Sequence, residues 1–491
     1  MSLLIENGTV LTGGKTMAVL PNHSVLIENG CITKVAPKRR IGGFTGKRID
    51  ASGKVVMPGL INAHTHFYST FARGLTKARP AHDFVGVLKN LWWRLDSALT
   101  TEDCYYSALI ALLDAVRHGT TTLIDHHASP HAVRGSLPAI EKAVKQTGLR
   151  ACLCYELSDR DGARISSEGL EENVSFIRSV AAGILPAVEG GILPPGAALE
   201  CRSGVAAMPR ANPPGRMPGP TAGRMPAATP FARRPSNLAA LFGLHAAFTL
   251  KNATLEKAAA LGHQLGTGFH IHVAEAQSDQ DFSQSHYRKR VVQRLNQFGI
   301  LGPQSIAAHC VHVNPREIDL LAQTETAVVH NPQSNLNNAV GIADVLTLMQ
   351  RGVLVGLGTD AMTTNMLEEL RVALWAQHIR AQNPSVGISE VVSALFANNP
   401  QIAARAFGLP LGELRAGCVG DVVIVDYDPP TPLSADNAFG HIVFGISQAA
   451  VDTTIVGGRV LMENRRLALD LDEPRINARA RELAAKLWKR L

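Results

Sequence analysis

Val55-Val-Met-Pro-Gly-Leu-Ile-Asn-Ala-His64-Thr-His66 is an apolar run of strand length that ends in two imidazoles. In a strand, residues i and i+2 point to the same face, so His64 and His66 project together. Two neutral imidazoles at the end of a strand make a start for a Zn2+ or Fe2+ site. Alone the His-x-His pair is a weak signal, because most such pairs are surface or core histidines. Its weight comes from the pattern in which it is embedded.

Further apolar runs of strand length follow at Thr121–His126, Ala151–Tyr155, Leu241–Ala246, Gly268–Val273, Ser305–His309, Ala327–His330 and Val353–Gly358. Amphipathic stretches of helical length lie between most of them. One spans Thr101–His118, opened by Thr100, Thr101 and Asp103 and closed by Gly119; another spans Thr254–Leu265 and stops at Gly266. Eight β units alternating with helices predict an α/β chain with a (β/α)8 TIM-like barrel over residues 57–410. Both ends read differently. Residues 1–56 hold short strand-like pieces (Leu3–Ile5, Ser24–Glu28, Ile32–Pro37) separated by Asn-Gly and Gly-Gly turns, and 411–491 begins in the same manner with Asp421–Asp426 and Thr453–Met462. The two ends are expected to pair into one small β-sandwich domain, with a closing helix after Pro474.

One segment breaks the alternation. Residues 183–235 carry 11 of the 27 prolines and 8 glycines, and they repeat themselves: Gly183-Ile-Leu-Pro returns as Gly191-Ile-Leu-Pro, and Gly215-Arg-Met-Pro as Gly223-Arg-Met-Pro. Proline at this density is incompatible with regular helix or sheet ladders, so a disordered or extended low-complexity insertion is expected. A proline-rich partner-binding segment is the alternative.

Composition narrows the function classes. Hydrophobic residues make up 46% of the 491-residue chain, enough for a large core, while charged residues reach only 18% against the usual ~25%. The net charge of +7 owes much to 183–235, which holds six arginines, two glutamates and no lysine. The rest carries no long basic run, so no nucleic-acid partner is expected. No run of eighteen apolar residues and no basic-then-apolar leader are present, so neither a membrane span nor a signal peptide is expected. Seven scattered cysteines give no disulfide framework, and the reducing cytoplasm is the expected compartment. A homodimer is the default assembly.

The remaining candidate groups recur at predicted strand ends: His245, His272 with Glu275 three residues on, His309, His330, and Asp360 after Leu357-Gly-Thr. In barrel enzymes that face gathers the catalytic groups. His126 and His127 are read as packing or supporting residues, and Cys152, Cys154 and Cys310 as core.

With these motifs on view, the chain resembles the amidohydrolase superfamily, in its aminohydrolase and deaminase branch with guanine deaminase, cytosine deaminase and the triazine hydrolases, and most of all the SsnA group of aminohydrolases. The carrying motifs are Pro58–His66, Ile124-Asp-His-His-Ala-Ser-Pro130, Phe242-Gly-Leu-His245, Gly268-Phe-His-Ile-His-Val-Ala-Glu275, Ala308-His-Cys310, Val329-His-Asn-Pro-Gln-Ser-Asn335 and Gly356-Leu-Gly-Thr-Asp360. The resemblance implies a mononuclear site, Zn2+ or else Fe2+, held by His64, His66, His272 and Asp360. It implies Glu275 as proton shuttle, His309 as the residue facing the oxyanion, Asp360 as a proton acceptor, and His245, His330 and Asn335 near the substrate. The implied activity is hydrolysis of a C–N bond of a nitrogen heterocycle or cyclic amidine by a metal-activated hydroxide.

Other signatures fail. Gly14-Lys15-Thr16 lacks the glycine that a phosphate loop needs, since position 9 is Thr9; His-Glu-x-x-His, Gly-x-Ser-x-Gly and Pro-Cys-x-x-Cys are absent. Two alternatives stay open. A cyclic-amide hydrolase resembling dihydroorotases and hydantoinases would use a modified lysine on the fourth strand, but Leu241–Phe248 holds none and Lys251 lies beyond it. A non-catalytic relative with a partner-binding insertion is the second.

Overall fold

The computed structural model describes residues 2–76, 78–184 and 236–491. The proline-rich stretch 183–235 lies outside them apart from 183 and 184, which end a helix over Ala163–Ile184.

The opening run divides in two. Val55–Pro58 joins a sheet built from the chain ends, and Leu60–Thr65 begins a parallel sheet. The break falls at Gly59, whose N–H donates to the Asp421 carbonyl at 3.0 Å and whose missing Cβ would sit 2.3 Å from the Thr121 hydroxyl. Only glycine lets the two layers approach so closely. The single strand expected over Val55–His66 is thus corrected to two.

Nine short strands make up the parallel sheets: β1 Leu60–Thr65, β2 Thr120–Asp125, β3 Arg150–Leu153, β4 Leu238–Ala240, β5 Phe242–Ala246, β6 Phe269–Val273, β7 Ile306–His309, β8 Ala327–His330 and β9 Val355–Leu357. Their order is β1-β2-β3-β4 in one sheet and β5-β6-β7-β8-β9 in the other. β5 falls within the fourth strand expected over Leu241–Ala246, and the unexpected β4 precedes it in the other sheet. At Leu241 the chain leaves one neighbour for the other: Leu241 N–H donates to Leu153, and Phe242 N–H donates to Gly268.

Buried asparagines clip both seams. At the first, the Asn173 carbonyl oxygen accepts from the N–H groups of Tyr155 (3.0 Å) and Gly243 (3.1 Å), and its amide donates back to the Tyr155 carbonyl at 2.9 Å. At the second, Asn399 donates to the carbonyls of Ile61 and Leu357 and accepts from Leu357 N–H. Backbone bonds from Thr359 and Asp360 to the His64 carbonyl complete that seam. Small apolar residues such as Ala63, Ala239, Ala327 and Cys152 pack between the sheets. Outside them lie helices such as Thr101–Arg117, opened by a capping box between Thr100 and Asp103. Its Leu109 and Leu112 are wholly buried, each worth about 1.5–3 kcal/mol.

The chain ends meet in one nine-stranded sheet, where Val55–Pro58 pairs antiparallel with Val422–Asp426. The strand expected over Thr453–Met462 is a hairpin of Ala450–Val456 and Arg459–Glu463, because Gly457 and Gly458 adopt left-handed φ between them. The last helix, Glu473–Arg490, buries Ile476, Leu483 and Leu487 among residues that include Leu109 and Leu112. Among the described residues no helix is long and apolar enough to cross a membrane.

Candidate metal centre and pocket

Parallel register sets the candidate residues level. His272 on β6 stands opposite Ala246 on β5 and Ala308 on β7, and Val273 stands opposite His309. The turns that follow are left-handed at Ala274, His309, Cys310 and Asp360, with φ between 46° and 73°. Such conformations cost on the order of 1–3 kcal/mol each in residues other than glycine. Backbone bonds hold them, among them Cys310 N–H to Val273 and His312 N–H to Ala274.

His64, His66, His272 and Asp360 come together. The Asp360 Oδ1 lies 2.9 Å from His66 Nε2 and 3.5 Å from His64 Nε2. His66 Nε2 and His272 Nε2 face each other at 3.3 Å. Each of these two rings has its Nδ1 on a backbone carbonyl, His66 on His126 and His272 on His245. Carbonyls only accept, so both Nδ1 atoms carry hydrogen and both Nε2 atoms turn lone pairs to one point. The buried His64 Nε2 has no hydrogen-bond partner and faces the same carboxylate. Lone pairs in such contact repel unless a positive charge lies between them. Three imidazoles and a carboxylate in these contacts suit one divalent ion, and the donor set fits zinc. Ligand atoms of His64, His272, His309 and Asp360, and of His64, His66, His126 and His272, also lie within 4.8 Å of one another.

Charge follows from this crowding. Burial alone would raise the Asp360 carboxyl, but the close imidazoles of His64 and His66 outweigh it and hold it well below the usual carboxylate range. Burial opposes a proton on His66, yet Asp360 and Glu156 on either side raise it well above the ordinary imidazole value, so a cation binding at its Nε2 has to displace a proton. His272 is driven well down by burial and by the neighbouring imidazoles. Glu275 is pushed well up, by burial first and then by the charges of Asp360 and Asp279. A Glu275 carboxyl that keeps its proton is a proton donor at neutral pH.

His309 is oriented from behind. The Asn335 amide donates to its Nδ1 at 2.8 Å, so the ring's hydrogen is on Nε2, 3.5 Å from Glu275 Oε2 and 4.0 Å from Asp360 Oδ2. Asn335, expected near the substrate, is therefore placed behind His309 rather than on a pocket wall. His330 is also buried away from the pocket, and neither of its ring nitrogens has a hydrogen-bond partner among the described residues. His245 does line the pocket, with its Nδ1 on Thr249 and its Nε2 3.6 Å from Glu156. Asn338 lines it too and donates to Glu275 at 3.3 Å.

The pocket opens over His66, His272, Glu275 and Asp360 between aromatic walls of Tyr68, Trp92, Trp93 and Phe248. Glu156 and Asp96 are acidic lining groups that the sequence reading passed over. Glu156 is held below its usual value, since contacts with His66 outweigh its burial. Asp96, paired with Arg160, is raised by burial to about 6. Glu156 follows the apolar run of β3 as His126 follows β2, so its place at a strand end was the available signal. His126 belongs to the imidazole cluster itself, with ring centres 5.7 Å from His64 and 4.7 Å from His272. His127 turns away to Ser129. No lysine lies on β5, so the lysine-bridged binuclear alternative has no ligand there.

Comparison with known proteins places the chain among its relatives. The chain is 30% identical over 498 residues to the 5-methylthioadenosine/S-adenosylhomocysteine deaminase of Pelotomaculum thermopropionicum, covering 100% of this chain and 99% of the relative. It is 30% identical over 492 residues to the 5'-deoxyadenosine deaminase of Methanosarcina acetivorans, covering 99% of each. The crystal structure of an adenosine deaminase from Xanthomonas campestris with bound zinc superposes with a TM-score of 0.77 at 23% identity, covering 99% of this chain and 98% of that one. The model of the amidohydrolase family matches residues 55–461, and the chain belongs to that family.

Proposed function

We propose that the protein is a zinc-dependent deaminase of a purine-like nitrogen heterocycle, which replaces an exocyclic amine by oxygen and releases ammonia. The observation that carries this reading is the close contact of His64, His66, His272 and Asp360 at an aromatic-walled pocket, with Glu275 on its lining and His309 3.5 Å from Glu275. Relatives over the full chain length named as adenosine-type deaminases support it.

His64, His66, His272 and Asp360 would hold the ion. A bound Zn2+ supplies a Lewis acid that lowers the pKa of water towards ~7, so that a nucleophile exists at neutral pH. Asp360 accepts the proton of the attacking water. Glu275 delivers a proton to the ring nitrogen beside the attacked carbon, takes up the second proton of that water and passes it to the departing amine, which leaves as ammonia; the proton held by Asp360 then restores Glu275. His309, its hydrogen fixed on Nε2 by Asn335, donates to the oxygen added to the ring carbon. Tyr68, Trp92, Trp93 and Phe248 offer flat faces for a planar ring.

The parallel strands are assigned to a closed (β/α)8 barrel over 57–410, supported by the bonds across both seams. The ends, 1–56 and 411–491, are assigned to a β-sandwich. Its support is the side of the terminal sheet on which Val25 and Ile27 pack with Val422 and Ile424, strands far apart in sheet order. The free described cysteines fit a cytoplasmic setting.

The test is zinc content of the purified protein, with ammonia release from adenosine, 5'-deoxyadenosine, 5'-methylthioadenosine and guanine. Stoichiometric zinc with turnover of at least one purine supports the reading; zinc without any purine turnover refutes the substrate class.

A further inference from the structure

His270, two residues before His272 on β6, is fully buried and lies outside the proposed ligand set. Its Nε2 is 2.9 Å from His64 Nδ1. Its Nδ1 lies 3.7 Å from Cys154 Sγ, and Cys154 Sγ is 3.4 Å from the Asp125 backbone carbonyl on β2. Three side chains and one carbonyl thus form a continuous row beneath the candidate metal centre.

The row has a direction. The Asp125 carbonyl can only accept, and the thiol has one hydrogen, whose nearer partner is that carbonyl. Cys154 therefore donates to Asp125 and accepts at sulfur from His270 Nδ1–H. A neutral His270 with hydrogen on Nδ1 has a lone pair on Nε2 and must accept there from His64 Nδ1–H. His64 is left with its Nε2 lone pair facing Asp360. The opposite polarity would put a hydrogen on His64 Nε2 and abolish it as a ligand.

We infer that His270 is a positioning residue which, with Cys154 and the Asp125 carbonyl, fixes the tautomer of His64 that can bind the metal. This rests on the metal-site reading above. It gives His64 the same kind of support that His66 and His272 receive from carbonyls, by way of two side chains. The rival is a second ion held by His126, Cys154 and His270. The geometry disfavours it: His126 stacks on His270 with centres 4.4 Å apart and planes 18° from parallel, so in-plane lone pairs run side by side rather than converge.

The experiment is Zn2+ binding by the full chain in competition with a chromophoric chelator, with unfolding midpoints as a check on folding. His270→Leu should weaken binding about 10–100-fold, the usual cost of losing a group that orients a metal ligand. His270→Gln, whose side-chain oxygen can accept from His64, should recover affinity to within a few-fold of wild type. Should His270→Leu fail to fold, Cys154→Ser and Cys154→Val carry the test: serine should match wild type and valine should bind more weakly. Equal losses in the Leu and Gln variants, or valine equal to serine, overturn the relay. Two zinc equivalents in wild type with one lost in either His270 variant overturn it in favour of the second ion. A wild-type chain that binds no zinc overturns the metal-site reading and this inference with it.

Discussion

Replacing Asn173 by alanine tests whether one amide holds the two parallel sheets together. Asn173 is wholly buried, and its carbonyl oxygen is the acceptor for the N–H groups of Tyr155 and Gly243, on either side of the seam. Its amide donates to the carbonyls of Tyr155, Gly169 and Gly243. Alanine leaves two buried donors unpaired, at about 1–3 kcal/mol each. Neither strand can move to pair them, because a Cβ at Gly243 would already lie 2.2 Å from the Tyr155 carbonyl oxygen. A loss of about 2–6 kcal/mol follows, a large part of the ~5–15 kcal/mol by which folded proteins are stable. Urea unfolding followed by tryptophan fluorescence reads the loss as a lower midpoint. Glu156 and His245 flank the two amides, so purine turnover should fall as well. A midpoint within ~1 kcal/mol of wild type would show that water replaces the amide, and would refute the idea that Asn173 bears the seam.

Further outcomes concern the site. His272→Ala should strip the metal from purified protein, as elemental analysis will show. Glu275→Gln should keep the metal while kcat falls about 10²–10⁴-fold, the usual contribution of a positioned proton carrier. Asn335→Leu removes the donor that orients His309, so kcat should fall at least tenfold while zinc content is retained, measured on the same preparations. Asp279 bears on pH: burial, against hydrogen bonds from Ala276 and Glu275, raises its carboxyl from 3.8 to about 7. Its native state favours the protonated form, so its stabilisation is complete below pH ~4 and is lost as pH rises towards 7. Asp279→Asn should flatten that part of the stability–pH curve, measured as urea midpoints across the range.

Much of this arrangement was legible in the sequence because it depends on short-range rules. Same-face spacing united His64 with His66, and strand-end placement brought out His272, His309 and Asp360. What local pattern could not carry was the third dimension across the sheets. The fourth strand reads as one apolar run from Leu241, yet Leu241 pairs with Leu153 while Phe242 turns to Gly268, and Asn173, some seventy residues away, ties Gly243 to Tyr155 across the seam. Asn335 is placed near the substrate only by the family resemblance; its amide is spent on His309, a contact no local pattern announces. Two of the aromatic walls, Trp92 and Trp93, come from 84–93, a connection without clear periodicity, and Asp96 owes its setting to Arg160, 64 positions away. His126 and Cys154 passed as packing, since nothing nearby in the chain reveals that they meet His270.

The left-handed bends at Ala274, His309, Cys310 and Asp360 bear on portability. Each turns the chain through a corner that an ordinary side chain resists, and the corners lie at or beside Glu275, His309 and Asp360, the groups that the proposed chemistry requires. Grafting the imidazoles and carboxylates onto straight strands of another scaffold would reproduce the inventory while losing the aim. Any transplant of this constellation has to carry its corners along, together with the neighbouring backbone that keeps them bent.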